Sequence, residues 1–265
     1  MKQRVIKVGG RPQLDPALIG ALARAHRASS ATASHVAPAE GLVLVHGGGD
    51  EISTLQRLYG VTAEFRGGRR ITSVLDLEII RMALSGSANK RLVSALVAEQ
   101  VRAVGVSGED AGLIVAEPLD PEQFGYVGTP IHVNAPLLQM LLDGHYLPVI
   151  SPVSCCSDPM LSTTLNVNGD DAAAAIAVAM QASELLLVSD VAGVLQDGQP
   201  IAVLGLDDAQ KLIDDGTAQG GMAAKIQAAL RALDGGVERV RISDIAAIEQ
   251  FDRGTVLTRV GSVCA

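Results

Sequence analysis

The 265-residue chain has no tryptophan, and three tyrosines with three phenylalanines bring its aromatics to only 2%. Its core therefore has to be built from Val, Ile, Leu and Ala, which disfavours an aromatic-rich β fold and points to buried α/β strands. Cysteine is equally scarce. Cys155, Cys156 and Cys264 form an odd set with an adjacent pair, which is neither a disulfide framework nor a zinc-ligand spacing, and it suits a reducing cytoplasm. No apolar run is both long and charge-free enough to span a bilayer, and a strand pattern starts where a signal peptide would lie, so a soluble protein with no membrane partner is expected. A basic footprint is missing as well: 21 Lys and Arg stand against 29 Asp and Glu, a formal charge of -8 spread along the chain. That argues against nucleic acid as a partner.

What the chain does have is alternation. "RVIKVGG" and "GLVLVHGGG" are apolar runs ending in glycines, with the helical pattern "PALIGALARAHRA" between them, so they make a βαβ unit. The polar stretch Ser29 to Glu40 reads as the loop that closes it. Further on come "LDLEIIRMALSGSANKRLVSALVAEQ", a helical stretch interrupted near Gly86, and the strand "VRAVGVSGED". The stretch from Gly112 to Val133, punctuated by Pro and Gly, reads as antiparallel strands decorating the sheet. "TTLNVNGDDAAAAIAVAMQ" turns into an alanine-rich helix, and "ELLLVSDVAGVL", "GGMAAKIQAALRALDGG" and "VERVRISD" complete the series. The expected fold class is α/β, with a mostly parallel central sheet carrying helices on both faces. Ligands then belong at the carboxyl ends of the strands.

Lys7 is an unusual residue for a dry strand. At the strand's carboxyl end its stem can lie in the sheet while the ammonium emerges at the tip, where Gly9 and Gly10 allow close approach of phosphates; an edge lysine facing solvent is the alternative. The glycines of "HGGGDEIS" offer bare backbone N–H groups at a helix start, which suits an anion. In "LNVNGDD", Asn166 and Asn168 alternate so as to present two amides on one side, able to donate and accept, and Asp170 or Asp171 is placed to cap the following helix. Lys225 stands one turn into a helix that opens with Gly220 and Gly221, again a phosphate-receiving arrangement. His46 reads as a histidine packed under the glycine loop, Lys90 as support for a helix end or an ion pair, and Cys155 and Cys156 as small buried hydrophobes.

The ordered set "KVGG", "VHGGG", "GRRIT" (Gly68 to Thr72), "GSANK", "LNVNGD", "VSDVAGVL" and "GGMAAK" spans nearly the whole chain and resembles the amino acid kinase family. The resemblance implies a three-layer αβα sandwich in a single domain. Residues 1 to about 160 would form a lobe for acceptor binding and dimerisation, and about 161 to 265 a lobe for ATP. It implies transfer of the γ-phosphoryl group of ATP, with Mg²⁺, to the side-chain carboxylate of N-acetyl-L-glutamate, a step of arginine biosynthesis. Lys7 and Lys225 would stabilise the transferred charge and Asp170 would hold both lysines. Gly48, Gly49, Arg70, Asn166 and Asn168 would contact the acceptor, and Gly9, Gly10, Asp190, Gly193, Val194, Gly220 and Gly221 would frame the nucleotide. No helix is expected before the first strand, unlike arginine-inhibited hexameric members, so the implied assembly is a homodimer without that device.

Glu109, Arg69 and the segment "CCSDPMLSTT" depart from the common family pattern near the expected acceptor side, and so bear on the acyl group more than on the reaction. N-succinylglutamate, or aminoadipate on an acidic carrier that would meet Arg66, Arg69 and Arg70, are the alternative acceptors. A catalytically inactive metabolite sensor is the alternative from another class.

Overall fold

The computed structural model describes residues 3–31, 41–66, 69–196 and 198–259. In chain order its strands are β1 (Gln3–Val8), β2 (Gly41–His46), β3 (Phe65–Arg66), β4 (Arg69–Arg70), β5 (Ala103–Gly108), β6 (Ile114–Pro118), β7 (Val127–Val133), β8 (Leu147–Cys156), β9 (Thr164–Val167), β10 (Glu184–Val188), β11 (Leu195–Gln196), β12 (Gln199–Pro200), β13 (Val203–Gly205), β14 (Arg239–Ser243) and β15 (Thr255–Thr258). The α-helices are α1 (Ala17–Ala31), α2 (Gly49–Leu58), α3 (Val74–Arg81), α4 (Asn89–Ala98), α5 (Pro121–Phe124), α6 (Ala135–Asp143), α7 (Gly169–Ala179), α8 (Leu206–Asp214) and α9 (Gly220–Asp234).

Eleven strands share one sheet in the order β13-β15-β14-β10-β1-β2-β8-β6-β7-β9, with β5 alongside β8. The central run β14-β10-β1-β2-β8 is parallel throughout. β1 lies between β10 and β2, with Lys7 level with Leu187 on one side and Val45 on the other. Strand periodicity then divides the core. Ile6, Val8, Leu42 and Leu44 face α1 and α4, whereas Val5, Val43, Val45 and Leu187 face α7 and α9. Helices therefore cover both faces, the expected three layers. Lys7 shares the parity of Val5, so its stem points toward α7.

The amino ends of the central strands are tied by a buried ionic cluster. Glu184 at the start of β10 accepts from Arg4 and from the fully buried Arg241, whose remaining donors reach the carbonyls of Ala247, Gln250 and Arg253. With every guanidinium nitrogen of Arg241 partnered, this cluster ties the chain after β14 to the strand ends opposite the candidate site.

The interruption expected near Gly86 takes the form of a π-helical segment, Met82–Ala88, that joins α3 to α4, and two other sequence expectations need correction. Such widened turns keep the helix continuous while re-aiming the side chains inside them. The strands of the Gly112–Val133 stretch do pair with each other antiparallel, but they are members of the main sheet, with β6 parallel to β8 and β7 parallel to β9. The presumed loop from Ser29 begins as helix, since α1 runs through Ala31; its residues 32–40 lie outside the described residues, as do Gly68 and Cys264.

Candidate active site

The carboxyl ends of β1 and β2 release two glycine loops that touch: a β-carbon on Gly47 would stand 3.4 Å from Gly9 Cα. The glycines here clear space for Lys7. A β-carbon at Gly9 would come within 2.8 Å of Lys7 Nζ, and one at Gly169 within 3.1 Å of Lys7 Cε. Any other residue at either position would force the lysine aside. Lys7 is only 7% exposed and its Nζ meets Asp170 Oδ1 at 2.9 Å.

Asp170 sits in the first turn of α7, where the helix N-terminus favours a carboxylate. Lys225, in the second turn of α9, reaches the same carboxylate at 3.1 Å from Oδ1 and 3.3 Å from Oδ2. Two ammonium groups thus share one buried carboxylate. Burial alone would raise the Asp170 pKa, but the charges of Lys7 and Lys225 outweigh it and hold the group below the usual carboxylate range. Burial, reinforced by the charge of Lys7, pushes Lys225 down to about 8 despite the pull of Asp170. The cluster carries one uncompensated positive charge at the mouth of the parallel sheet. Sequence alone placed these three residues on separate elements; the fold brings them into contact.

Next to them lies a cleft of about 210 Å³ lined by Gly47, Gly48, Gly49, Arg70, Asn166 and Asn168 among others. Asn168 is the N-cap of α7, its Oδ1 accepting from the backbone N–H groups of Asp170 and Asp171. The cap is therefore not Asp170 or Asp171, and one end of the Asn168 amide is committed to the helix. Asn166 donates to Thr72 Oγ1 at 3.0 Å. Arg70 borders the cleft with Phe65, whose ring centroid is 4.7 Å from the guanidinium carbon. Leu84, delivered by the π-helical segment, packs so tightly on the loop that a β-carbon at Gly48 would sit 2.6 Å from it.

The residues expected around the nucleotide are not gathered in this cleft. Gly220 and Gly221 open α9, five and four residues before Lys225, with Gly220 at φ +54°. Asp190 lines a different cleft of about 520 Å³ with Arg11, Ser189 and Asp244, on the α1 side. Gly193 and Val194 pack on β15: Val194 N–H donates to Thr255 Oγ1 at 2.8 Å, and its side chain is in the core. Gly10 adopts φ +63° at the turn out of β1, which a residue with a side chain rarely adopts.

His46 lies fully buried under the glycine loop. Its Nδ1–H donates to the Gly47 carbonyl at 2.8 Å, and its Nε2 accepts from the Asn89 amide at 3.1 Å. Burial lowers its pKa to about 4, so it is neutral at pH 7. Because an unfolded histidine takes up a proton near 6.5, stability should be full above that pH and fall as pH drops toward 4, by about 3 kcal/mol from this group. Chemical denaturation of the wild type and His46→Gln at pH 4.5 and 7.5 reads this. The wild type should lose the more stability in acid; equal losses would remove the argument.

Other expected residues have structural partners. Lys90, in the first turn of α4, donates to Asn89 Oδ1 and the Gly105 carbonyl, and among the described residues it makes no ion pair. Glu109 pairs with Arg81 and accepts from Thr164 Oγ1 at 2.6 Å. Cys155 and Cys156 are free thiols only half-buried, Cys156 packing against the main core, and burial raises the pKa of Cys155. Phe65, Gln56, Asp76 and Leu84 were not singled out by sequence reasoning. The scarcity of aromatics and the spacing Ser73-x-x-Asp76 were the available signals.

The description "amino acid kinase family" belongs to the family model that matches residues 2–244. A curated relative from Roseiflexus sp. (strain RS-1), named acetylglutamate kinase, is 40% identical over 255 residues, covering 96% of this chain and 92% of that one. The acetylglutamate kinase of Chloroflexus aurantiacus (strain ATCC 29366 / DSM 635 / J-10-fl) is 41% identical over 256 residues, 96% of each. Among solved structures, a protein of Streptococcus mutans UA159 superposes with a TM-score of 0.85 at 27% identity, covering 97% of this chain and 99% of that one. N-acetylglutamate synthase from Neisseria gonorrhoeae, complexed with coenzyme A and L-arginine, gives 0.78 at 22% identity over 98% of this chain and 62% of that one, a likeness of fold alone.

Proposed function

The chain belongs to the amino acid kinase family, and from that premise we propose that it phosphorylates the side-chain carboxylate of N-acetyl-L-glutamate with ATP. The product is N-acetyl-L-glutamyl 5-phosphate, an acyl phosphate, and the activity places the protein in amino-acid biosynthesis, with arginine as the end product. Relatives named acetylglutamate kinase, about 40% identical along nearly the full length of both chains, support the acceptor. The observation that carries the chemistry is the pair of buried lysines on one carboxylate, beside a glycine-walled cleft that holds an arginine.

The reaction needs no general base, because a carboxylate acceptor is already ionised near neutral pH. What remains is alignment and neutralisation of charge, which preorganised donors supply most effectively. Arg70 would grip a carboxylate of the acceptor through its planar fork, and Gly48, Gly49, Asn166 and the Nδ2 end of Asn168 would complete the acceptor's contacts. Lys7 and Lys225 would bear on the transferred group, with Asp170 keeping them from repelling each other. The glycines of the β1 and β2 loops and of the α9 start fit a polyphosphate, since they present backbone N–H groups without β-carbons. Asp190, Gly193 and Val194 would frame the nucleotide from the loop after β10. ATP supplies the phosphoryl group, and its Mg²⁺ screens the phosphate charge. We assign that ion to the nucleotide, since both oxygens of Asp170 already accept from lysines.

We assign the acceptor to residues 1 to about 160 and ATP to the remainder, and we place the protein in the cytoplasm as a homodimer. A reducing compartment suits the free thiols of Cys155 and Cys156, and exposed Val74, Leu75, Met82 and Val97 along α3 to α4 give a second copy apolar surface to cover. Among the described residues no helix is long and apolar enough to cross a membrane. ADP release in the presence and absence of N-acetyl-L-glutamate tests the function. Release that depends on the acceptor is expected, and ADP release indifferent to it would contradict the proposal.

A further inference from the structure

Arg70 does not stand alone in the cleft. Its Nη1 donates to the side-chain carbonyl of Gln56, and the amide nitrogen of the same Gln56 donates to Asp76 Oδ1. Gln56 is 1% exposed, on the inner face of α2. Asp76 closes the capping box of α3: its Oδ2 accepts from the Ser73 backbone N–H at 3.0 Å and from Ser73 Oγ at 2.6 Å, while Ser73 Oγ accepts from the Asp76 N–H. Burial would raise the Asp76 pKa, yet the hydrogen bonds from Ser73 and Gln56 and the charge of Arg70 lower it, so it stays a carboxylate. Arg70 Nη2 donates to Ser53 Oγ at 3.2 Å, and Ser53 Oγ donates in turn to the Gly49 carbonyl at 2.8 Å.

The orientation of the Gln56 amide is thus dictated at both ends. A carboxylate can only accept and a guanidinium can only donate, so the nitrogen must face Asp76 and the oxygen Arg70. Phe65 closes one face of the guanidinium. Five N–H donors in a rigid plane leave others for a ligand once Gln56 and Ser53 are served. The chain of contacts therefore fixes the plane and azimuth of the fork and links it to Gly49.

We propose that Gln56, anchored by Asp76, is a positioning residue that aims Arg70 at the carboxylate of the acceptor and so sets acceptor affinity. The proposal rests on the acceptor reading given above. It implies that Gln56 acts through Arg70 alone, on binding that ground state and transition state share.

The test is a double-mutant cycle with the full chain: wild type, Gln56→Met, Arg70→Met and the double variant, each assayed for KM of N-acetyl-L-glutamate, KM of ATP and kcat. Methionine keeps the length of glutamine and removes both hydrogen bonds. Gln56→Met should raise the acceptor KM about tenfold, as loss of a hydrogen bond to a charged group does, with ATP KM and kcat changed less than twofold. In the Arg70→Met background it should add nothing. An equal rise in both backgrounds, or a parallel change in kcat and both KM values, would overturn the proposal in favour of general packing. Should Gln56→Met fail to fold, Gln56→Glu takes its place. It keeps an acceptor for Arg70 but sets a second carboxylate against Asp76, and an acceptor KM equal to wild type would overturn the relay. A wild type that does not turn over N-acetyl-L-glutamate overturns the proposed function and this inference with it. A wild type that turns over, beside a Gln56→Met of unchanged KM, overturns the inference alone.

Discussion

Lys225→Ala should fold like the wild type and turn over about 10²–10³ times more slowly, the usual cost of removing one donor aimed at developing charge. Lys7→Ala should lose a comparable factor, because the two lysines converge on the same carboxylate from different elements. Truncating Lys225 relieves burial of a charge whose pKa has already fallen to about 8, so folding should survive. The same value predicts a pH signature. Above about 8 the free protein loses the Lys225 charge, so kcat/KM for ATP should fall on the alkaline side, whereas Lys225→Arg, which stays protonated, should lack that limb. Steady-state rates between pH 6.5 and 9.5 read both effects. Folded alanine variants that turn over at the wild-type rate would contradict the assignment.

Asp170→Ala should damage both activity and folding. Its removal leaves two ammonium groups buried and facing each other, and breaking a buried ion pair from one side costs about 3–5 kcal/mol. Helix capping is not the reason, because Asn168 provides the cap of α7. Without the carboxylate, Lys225 should deprotonate at still lower pH, so the residual activity should peak on the acid side of the wild-type optimum. The folded Asp170 pKa lies below its unfolded value, so its contribution is present above about pH 4 and is lost as pH falls through the folded value. Denaturation of wild type and variant at pH 7 and pH 3 should show the gap closing in acid. An unchanged unfolding midpoint at pH 7 would mean that the carboxylate does not hold the lysines.

Much of the architecture was legible because the strands are unbroken Val, Ile and Leu runs that end in glycine. That pattern identifies parallel strands buried on both faces and marks their carboxyl ends. Lys7 stood out as a lysine in a dry strand next to two glycines, but the edge reading fell only once the fold placed β1 between β10 and β2. The π-helical form of the interruption near Gly86 was not legible, because it goes with tertiary contacts, Leu84 on Gly48 and Ser85 Oγ on Ser151 Oγ, that no local pattern shows. The Gln56–Asp76 relay was invisible for a related reason. A glutamine on an amphipathic helix reads as solvent-facing until the fold sets α2 against α3. Asp170 was found, but its role as shared counter-ion depends on α7 and α9 meeting, which no spacing in the chain encodes.

The central claim is that this protein makes an acyl phosphate on the side chain of N-acetyl-L-glutamate. Trapping with hydroxylamine tests it most directly, using the full chain, ATP and Mg²⁺ with N-acetyl-L-glutamate, N-succinyl-L-glutamate, free glutamate or N-acetyl-aminoadipate. The account predicts ATP-dependent hydroxamate that is strongest with N-acetyl-L-glutamate and nearly abolished in Lys225→Ala. Hydroxamate strongest with another acceptor, or none from folded protein that binds ATP, would contradict it.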